Sequence, residues 1–281
     1  LSYLRTSNPN NQKQRVWCGT YFGRGFGSYS KLDFGPAKVN NIGDCLMNVE
    51  SLALEFWQQG YLCIDNFFDD SLMDKYHKLI LQHFADNPDF VHNDEFLEKS
   101  KTDVVPWFPQ RDGIYEFDIA EKNKNLIALT NAILGQDWSS LYSMVMFSHE
   151  GSNGQAWHQD CPPGNKAQFN LNRLVYTMDI DSAHGGEVLV VPGTHKGGAI
   201  TIGDSDEDFP EQVMLTPKKG SLVLIHGHLW HRVLPVSDHY RVSTNYRCCP
   251  ANTPSTITDI GIYRNMVYDF SRNQVLADRR K

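Results

Sequence analysis

The sequence predicts a mainly β protein, a sandwich or barrel of short strands with helices packed outside it. Three observations carry that reading. Six short segments between Leu141 and Cys248 are rich in β-branched or aromatic residues and are bounded by Gly, Pro, Asp or Asn. The text before them has helical periodicity instead. The 281 residues are 41% hydrophobic and 12% aromatic, enough for a sizeable core in one large domain or two small ones.

Residues 1–45 read as a loop-rich arm. "WCGTYFGRGFGSYSKLDFGP" interleaves Gly with aromatic residues and has neither period. Trp17, Tyr21, Phe22 and Phe26 argue against a disordered leader, and the arm could form part of a lid. The remainder, 46–281, reads as one domain. "NVESLALEFWQQG" puts Val49, Leu52, Ala53 and Phe56 on one helical face, with Asn48 as N-cap and Gly60 as stop. "YLCIDNF" follows as a strand. A second helix starts near Asp69 or Asp70 and buries Met73, Tyr76, Leu79, Ile80 and Phe84. Residues 86–118 read as mixed, with "VVPWFPQRDG" as loop, and a third helix runs from about Glu121 to Leu134. The strand segments are 141–148, 173–180, 187–193, 212–217, 221–227 and 240–248.

Composition excludes some partners. The net charge is −7 and no basic stripe is present, which argues against nucleic acid and anionic membrane surfaces. No apolar run approaches the roughly 20 residues of a membrane span. The six cysteines form no C-x-x-C pair, so a thiolate zinc site is not expected. Their scatter suits reduced thiols in the cytoplasm or another reducing compartment, with Cys248 and Cys249 as packing residues. "LSYLRTSNPNNQKQR" does not read as a secretory signal, and the start at Leu1 is compatible with a removed targeting segment.

The chemistry starts at "AWHQDCPPG". On an extended segment residues i and i+2 share a face, so His158 and Asp160 can both point inward while Gln159 points out. Pro162, Pro163 and Gly164 stop the ladder there, where an open coordination position is easiest to keep. "GSLVLIHGHLWHRVLP" offers a third ligand in His226, His228 or His231. Ten positions after His231 stands Arg241, with Ser243 on the same strand face. A guanidinium there can grip a carboxylate through paired hydrogen bonds. Two histidines and a carboxylate with open positions suit non-haem Fe(II). The helical H-E-x-x-H of zinc hydrolases is absent.

These segments together resemble the phytanoyl-CoA dioxygenase family, Fe(II)- and 2-oxoglutarate-dependent oxygenases on a double-stranded β-helix (jelly-roll, cupin-like) core. "WHQD" is similar to the family's H-x-D segment, and "GGEVLVVPGTHKG" to its glycine-rich strand and turn. "KKGSLVLIHGHLWHRVLP" is similar to its distal histidine segment, and "YRVSTNYRC" to its arginine strand. "FWQQGYLCIDNFFDDSLMDKYHKLI" resembles its opening helix–strand–helix. The likeness covers roughly residues 48–250, with the jelly-roll core at about 140–250. Ser221 stands where the family often has Asp, and Arg232 where Gly is frequent.

The resemblance implies that His158, Asp160 and His231 hold Fe(II), which selects His231 among the three histidines. It implies that Arg241, Ser243 and Tyr176 bind 2-oxoglutarate, with O2 as second cosubstrate. The outcome implied is hydrogen abstraction from an unactivated C–H of a small molecule, giving hydroxylation or oxidative cyclisation or desaturation. The retained Asp160 argues against halogenation, because related halogenases carry a small residue there. His195, His226 and His228 are given no metal role. For substrate contact the sequence offers Arg173 and Arg232, with Trp107 and Phe108 as lid residues. Arg111 and Arg247 also lie near the site-forming text, although surface ion pairs are the commoner use of such arginines. An arginine in the pocket would suit a carboxylate-bearing, amino-acid-like substrate of specialised metabolism. Two alternatives remain: a cupin-like isomerase or hydrolase that uses the metal without 2-oxoglutarate, and a non-catalytic binding module on the same fold. Oligomeric state is not legible.

Overall fold

The computed structural model describes residues 48–86 and 93–280. The arm expected at 1–45 lies outside the described residues. Helix α1 (Val49–Gln59) opens on Asn48, whose side chain accepts from the Ser51 N–H, and closes at Gly60 in the left-handed region. Strand β1 (Tyr61–Ile64) and helix α2 (Asp70–Asp86) follow as the periodicity predicts.

Three stretches depart from the sequence reading. Within the mixed stretch 86–118, Asn93 caps helix α3 (Asp94–Ser100), and "VVPWFPQRDG" is not all loop, since strand β2 (Val105–Trp107) lies in it. The helix expected over 121–134 is two pieces, α4 (Asp118–Glu121) and α5 (Lys124–Leu134). The break falls where Asn123 turns its side chain onto the Asn125 and Leu126 N–H groups and starts a new helix. After strand β3 (Ser139–Ser148) and strand β4 (Gln155–Gln159), the strand expected over 173–180 is β5 (Leu171–Val175). It stops at Val175 because its neighbour's ladder begins opposite, at Leu222.

Strands β6 (Val188–Val190), β7 (Val213–Leu215), β8 (Leu222–His226) and β10 (Arg241–Cys249) complete the expected set, and β9 (His231–Val233) is a further strand outside it. Beyond it the tail adds β11 (Ile260–Tyr263), β12 (Met266–Asp269) and β13 (Gln274–Asp278). The strands form two antiparallel sheets, in the orders β1-β8-β5-β10-β3-β2 and β13-β12-β11-β4-β9-β6-β7. This is the two-sheet layout of a jelly roll.

Alternation along the first sheet makes two cores. Leu171 and Val175, Leu222 and Leu224, Val145 and Phe147, and Val242 and Tyr246 face outward and bury the apolar sides of α1, α2 and α5. Leu174, Val223, Ile225 and Met146 face inward and meet Val188, Val190, Leu215 and Val233 of the second sheet. Each such aliphatic side chain contributes about 1.5–3 kcal/mol on burial. Cys248 and Cys249 are buried, and burial pushes the Cys248 thiol up to about 12, which suits a packing role. Among the described residues no helix is long and apolar enough to cross a membrane.

Candidate metal centre and cosubstrate pocket

Strands β4 and β9 pair antiparallel in a register that sets His158 directly opposite His231. Their ring centroids are 4.2 Å apart. Asp160 follows β4 at a bend, held by its N–H on Gly227 O at 2.8 Å. Its Oδ1 lies 3.6 Å from His158 Nε2 and its Oδ2 3.5 Å from His231 Nε2. One ligand atom from each residue falls within 4.8 Å of the others, and all three residues are buried.

The donor set fits a divalent metal. Each ring donates Nδ1–H to the backbone carbonyl two residues back, Ala156 O at 2.8 Å and Leu229 O at 2.9 Å. That leaves both Nε2 lone pairs facing the carboxylate. Burial, with His158 alongside, pushes His231 down to about 4, so its imidazole is neutral at physiological pH. Burial works against ionisation of Asp160, but Arg247 and the histidines outweigh it and hold the carboxyl well below its ordinary value. Gln159 turns to the other side. Its amide donates to Gly198 O and His228 O and accepts from the Ile200 N–H, tying two loops behind the ligand strand.

Arg241 opens β10 and is 3% exposed. It donates from Nε to Gly186 O at 2.8 Å, from Nη1 to Ser243 Oγ at 3.2 Å and from Nη2 to the Tyr176 hydroxyl at 3.3 Å. Among the described residues it has no carboxylate partner, an unusual state for a buried guanidinium. Gly186 has φ +78°, and a Cβ there would stand 2.6 Å from Arg241 Cδ, so only glycine leaves the arginine its place. Arg241, Ser243 and Tyr176 are thus brought together. Met146 connects them to the metal centre: it faces Ser243 across the sheet, packs in the cluster that holds Tyr176, and lines the cavity containing His158 and Asp160.

That cavity has a volume of about 680 Å³. Phe108 lines it, with the Arg111 guanidinium 3.9 Å above its ring. The other three substrate candidates lie elsewhere. Arg173 sits on the outward face of β5, fully buried, paired with Glu121 at 2.7 Å and donating to Tyr246 O. Arg232 alternates away from His231 and donates to Asp206 O. Trp107 packs in the core beneath α2, stacked on His83 at 3.9 Å, with its indole N–H on Asp112. His226 faces α1 and stacks on Phe169 at 3.9 Å, and His195 reaches Trp57 O.

Sequence reasoning named Arg247 only as an arginine near the site-forming text, and passed over Asn172 and the aromatic residues of the tail. Asn172 donates to Asp160 Oδ2 at 2.6 Å, and Arg247 donates to Oδ1 at 2.9 Å. Counting in twos from Arg241 along β10 reaches Arg247 on the same inner face, a signal available in the text. Tyr263, Tyr268 and Phe270 come from the tail. Tyr263 pairs with His158 across β11 and β4, and the two rings stack at 5.2 Å.

The fold recurs in solved structures. The epimerase SnoN in complex with Fe3+, alpha ketoglutarate and nogalamycin RO is 17% identical with a TM-score of 0.58, over 74% of this chain and 87% of that one. HygX from Streptomyces hygroscopicus with nickel, 2-oxoglutarate and hygromycin B bound is 15% identical with a TM-score of 0.58, over 74% and 88%. No curated protein matches the sequence. The profile of the phytanoyl-CoA dioxygenase (PhyH) family matches residues 56–243, from the end of α1 to Ser243. The chain belongs to the phytanoyl-CoA dioxygenase family, enzymes that depend on Fe(II), 2-oxoglutarate and O2.

Proposed function

We propose that His158, Asp160 and His231 hold Fe(II), and that Arg241, Ser243 and Tyr176 receive the far carboxylate of 2-oxoglutarate. The reaction proposed is hydrogen abstraction from an unactivated C–H of a small molecule, giving hydroxylation, oxidative cyclisation or desaturation. One observation carries the reading. A buried two-histidine, one-carboxylate cluster shares the interior with a buried guanidinium that has no acidic partner among the described residues. An isomerase or hydrolase without 2-oxoglutarate would have no use for that guanidinium. When bound, iron with 2-oxoglutarate and O2 supplies the oxidising power.

The chain's own part is to hold and to enclose. The carbonyls of Ala156 and Leu229 keep both imidazoles in the tautomer that offers Nε2. Arg241 fixes the cosubstrate end by charge and fork geometry. Aromatic walls exclude water from the reacting carbon. We assign the catalytic domain to residues 46–281, with 1–45 as a separate arm.

The cavity supports a bulky substrate with flat or apolar faces. Its volume lies in the range of drug-sized ligands. Phe96, Phe108, Tyr142, Tyr263, Tyr268 and Phe270 line it. The solved structures of SnoN and HygX hold nogalamycin RO and hygromycin B, which favours specialised metabolism over a single-chain lipid. A carboxylate on the substrate would find Arg111, which lines the cavity and has no ion pair among the described residues, rather than Arg173 or Arg232. The test is a succinate-release screen over ring-bearing metabolites, with and without a carboxylate. It is run beside an anaerobic titration of Fe(II)-loaded protein with 2-oxoglutarate, where a weak visible charge-transfer band is expected. No band, and no succinate under air with any compound, would remove the reading in favour of a binding module.

A further inference from the structure

Both oxygens of the Asp160 carboxylate are held by side chains that are not themselves metal-ligand candidates. Arg247 Nη2 donates to Oδ1 at 2.9 Å and Asn172 Nδ2 donates to Oδ2 at 2.6 Å. Arg247 is itself anchored at its other two nitrogens, Nε on Asn172 Oδ1 at 2.9 Å and Nη1 on the Tyr142 hydroxyl at 2.8 Å. Its side chain is 12% exposed. The β10–β3 register slips between Arg247 and Cys248, a bulge of the kind that re-aims a side chain beside a site.

Chemistry fixes the orientation of this network. A guanidinium only donates, so Asn172 must present its oxygen to Arg247. An ionised carboxylate only accepts, so the same Asn172 must present its NH2 to Asp160. Asn245 and Asn170 add two further donors to Asn172 Oδ1, at 2.8 and 3.1 Å. The amide has one orientation that satisfies every partner, and it leaves Asp160 one way to face His158 and His231.

We propose that Arg247 is a positioning residue of the metal centre, one that sets the carboxylate of Asp160 through its own bond and through Asn172. The proposal rests on the metal assignment above. It conflicts with a simple charge argument, which makes the outcome informative. A guanidinium beside the site repels a divalent cation, so if charge alone mattered its removal would tighten metal binding. If it positions the ligand, its removal lets the carboxylate turn and binding weakens. Supporting residues around metal ligands are typically worth about 10–100-fold in affinity. Arg247 also lines the cavity, so reading a substrate anion is the competing role. Its saturation by Asp160, Asn172 and Tyr142 favours positioning.

The test uses metal-free full-length protein titrated with Co(II), following affinity and the visible d–d spectrum, in wild type, Arg247→Met, Arg247→Lys and Tyr142→Phe. Co(II) affinity should fall about 10–100-fold in Arg247→Met. It should fall comparably in Arg247→Lys, which keeps the charge but not the fork, and the spectrum should change in both. Tyr142→Phe removes one anchor and leaves the guanidinium, so a loss of about fivefold in the same direction is expected even if the Arg247 variants fail to fold. Unchanged or tighter binding in Arg247→Met, or full rescue by Lys, would overturn the proposal. So would a raised substrate KM with unchanged Co(II) affinity, the mark of an anion reader. Wild type failing to take up Co(II) would overturn the metal assignment itself.

Discussion

Replacing Arg241 with Met separates cosubstrate binding from stability. With 2-oxoglutarate bound, the substitution deletes one partner of a buried ion pair, a loss of about 2–5 kcal/mol. At about 1.4 kcal/mol per tenfold, KM for 2-oxoglutarate should rise between about 30-fold and several-thousand-fold. Without cosubstrate the accounting differs. Arg241 then meets Gly186 O, Ser243 Oγ and the Tyr176 hydroxyl and no carboxylate among the described residues. Its loss strands one carbonyl, worth about 1–3 kcal/mol, while relieving a buried cation of its desolvation. The thermal midpoint of the metal-free protein should therefore move by only a few degrees. Arg241→Lys, which keeps charge without the fork, should fall between the two. The assay is succinate formation against 2-oxoglutarate concentration at saturating Fe(II) and O2, with thermal unfolding in parallel. A KM within about threefold of wild type would refute the assignment of Arg241. So would a fall in stability large enough to explain the lost activity.

Further outcomes follow from the same geometry. Asp160→Ala should abolish Co(II) uptake and also lower the thermal midpoint, since it leaves the buried Arg247 without its carboxylate, a loss of about 3–5 kcal/mol. Arg173→Met should destabilise by about 3 kcal/mol, nearer the lower end because Glu121 is partly exposed, and leave metal affinity unchanged. A weakened metal site would show that Arg173 does more than hold α4 to the sheet. Phe270 is 48% exposed at the cavity rim, so Phe270→Ala should stay within about 0.5 kcal/mol of wild type in stability. It should raise substrate KM and spare that for 2-oxoglutarate. Acid should destabilise the protein through His226 and His228, whose rings lie 5.0 Å apart. Burial holds His226 well below 6.5 and pushes His228 down to about 4. Between 6.5 and about 4 the unfolded chain therefore binds more protons, and stability falls as pH drops through that window. The thermal midpoint, followed from pH 7 downwards, should decline more gently in His226→Gln than in wild type, and an equal decline in the two, or a wild-type midpoint that does not change across that window, would refute the assignment.

Much of the fold was legible because its strands are short β-branched or aromatic runs bounded by Gly, Pro, Asp or Asn. Leu222, Val223, Leu224 and Ile225 are apolar without a break, as a strand buried on both faces requires: Leu222 and Leu224 look to the helices while Val223 and Ile225 look inward. The tail was harder. Its strands are four or five residues long, and "GIYRNMVYDFSRNQVLA" marks its turns without Gly or Pro, by Arg264-Asn265 and by Asp269, Ser271 and Asn273, of which Asn273 takes a positive φ. Short strands of this kind gain their stability from neighbours, here the pairing of β11 with β4, which no local window contains. The third ligand candidate had the same difficulty. His226, His228 and His231 are indistinguishable by residue type, and parity fails across the turn after β8. What separates them is the register that sets His231 opposite His158, a pairing between positions far apart in the chain.

Arg247 marks where sequence reasoning stops for a physical reason. Parity along β10 is enough to put Arg241, Ser243, Asn245 and Arg247 on one inner face. It does not tell the two arginines apart, since both are buried donors on one strand of one sheet. Their partners do. Arg241 ends on a carbonyl, two hydroxyls and no carboxylate among the described residues, a guanidinium with charge to spare for an incoming dianion. Arg247 is already neutralised by Asp160 and bonded through all three nitrogens. The same residue type on the same face thus serves opposite ends of the site, because a buried cation without an anion recruits one, whereas a buried cation with an anion holds it still.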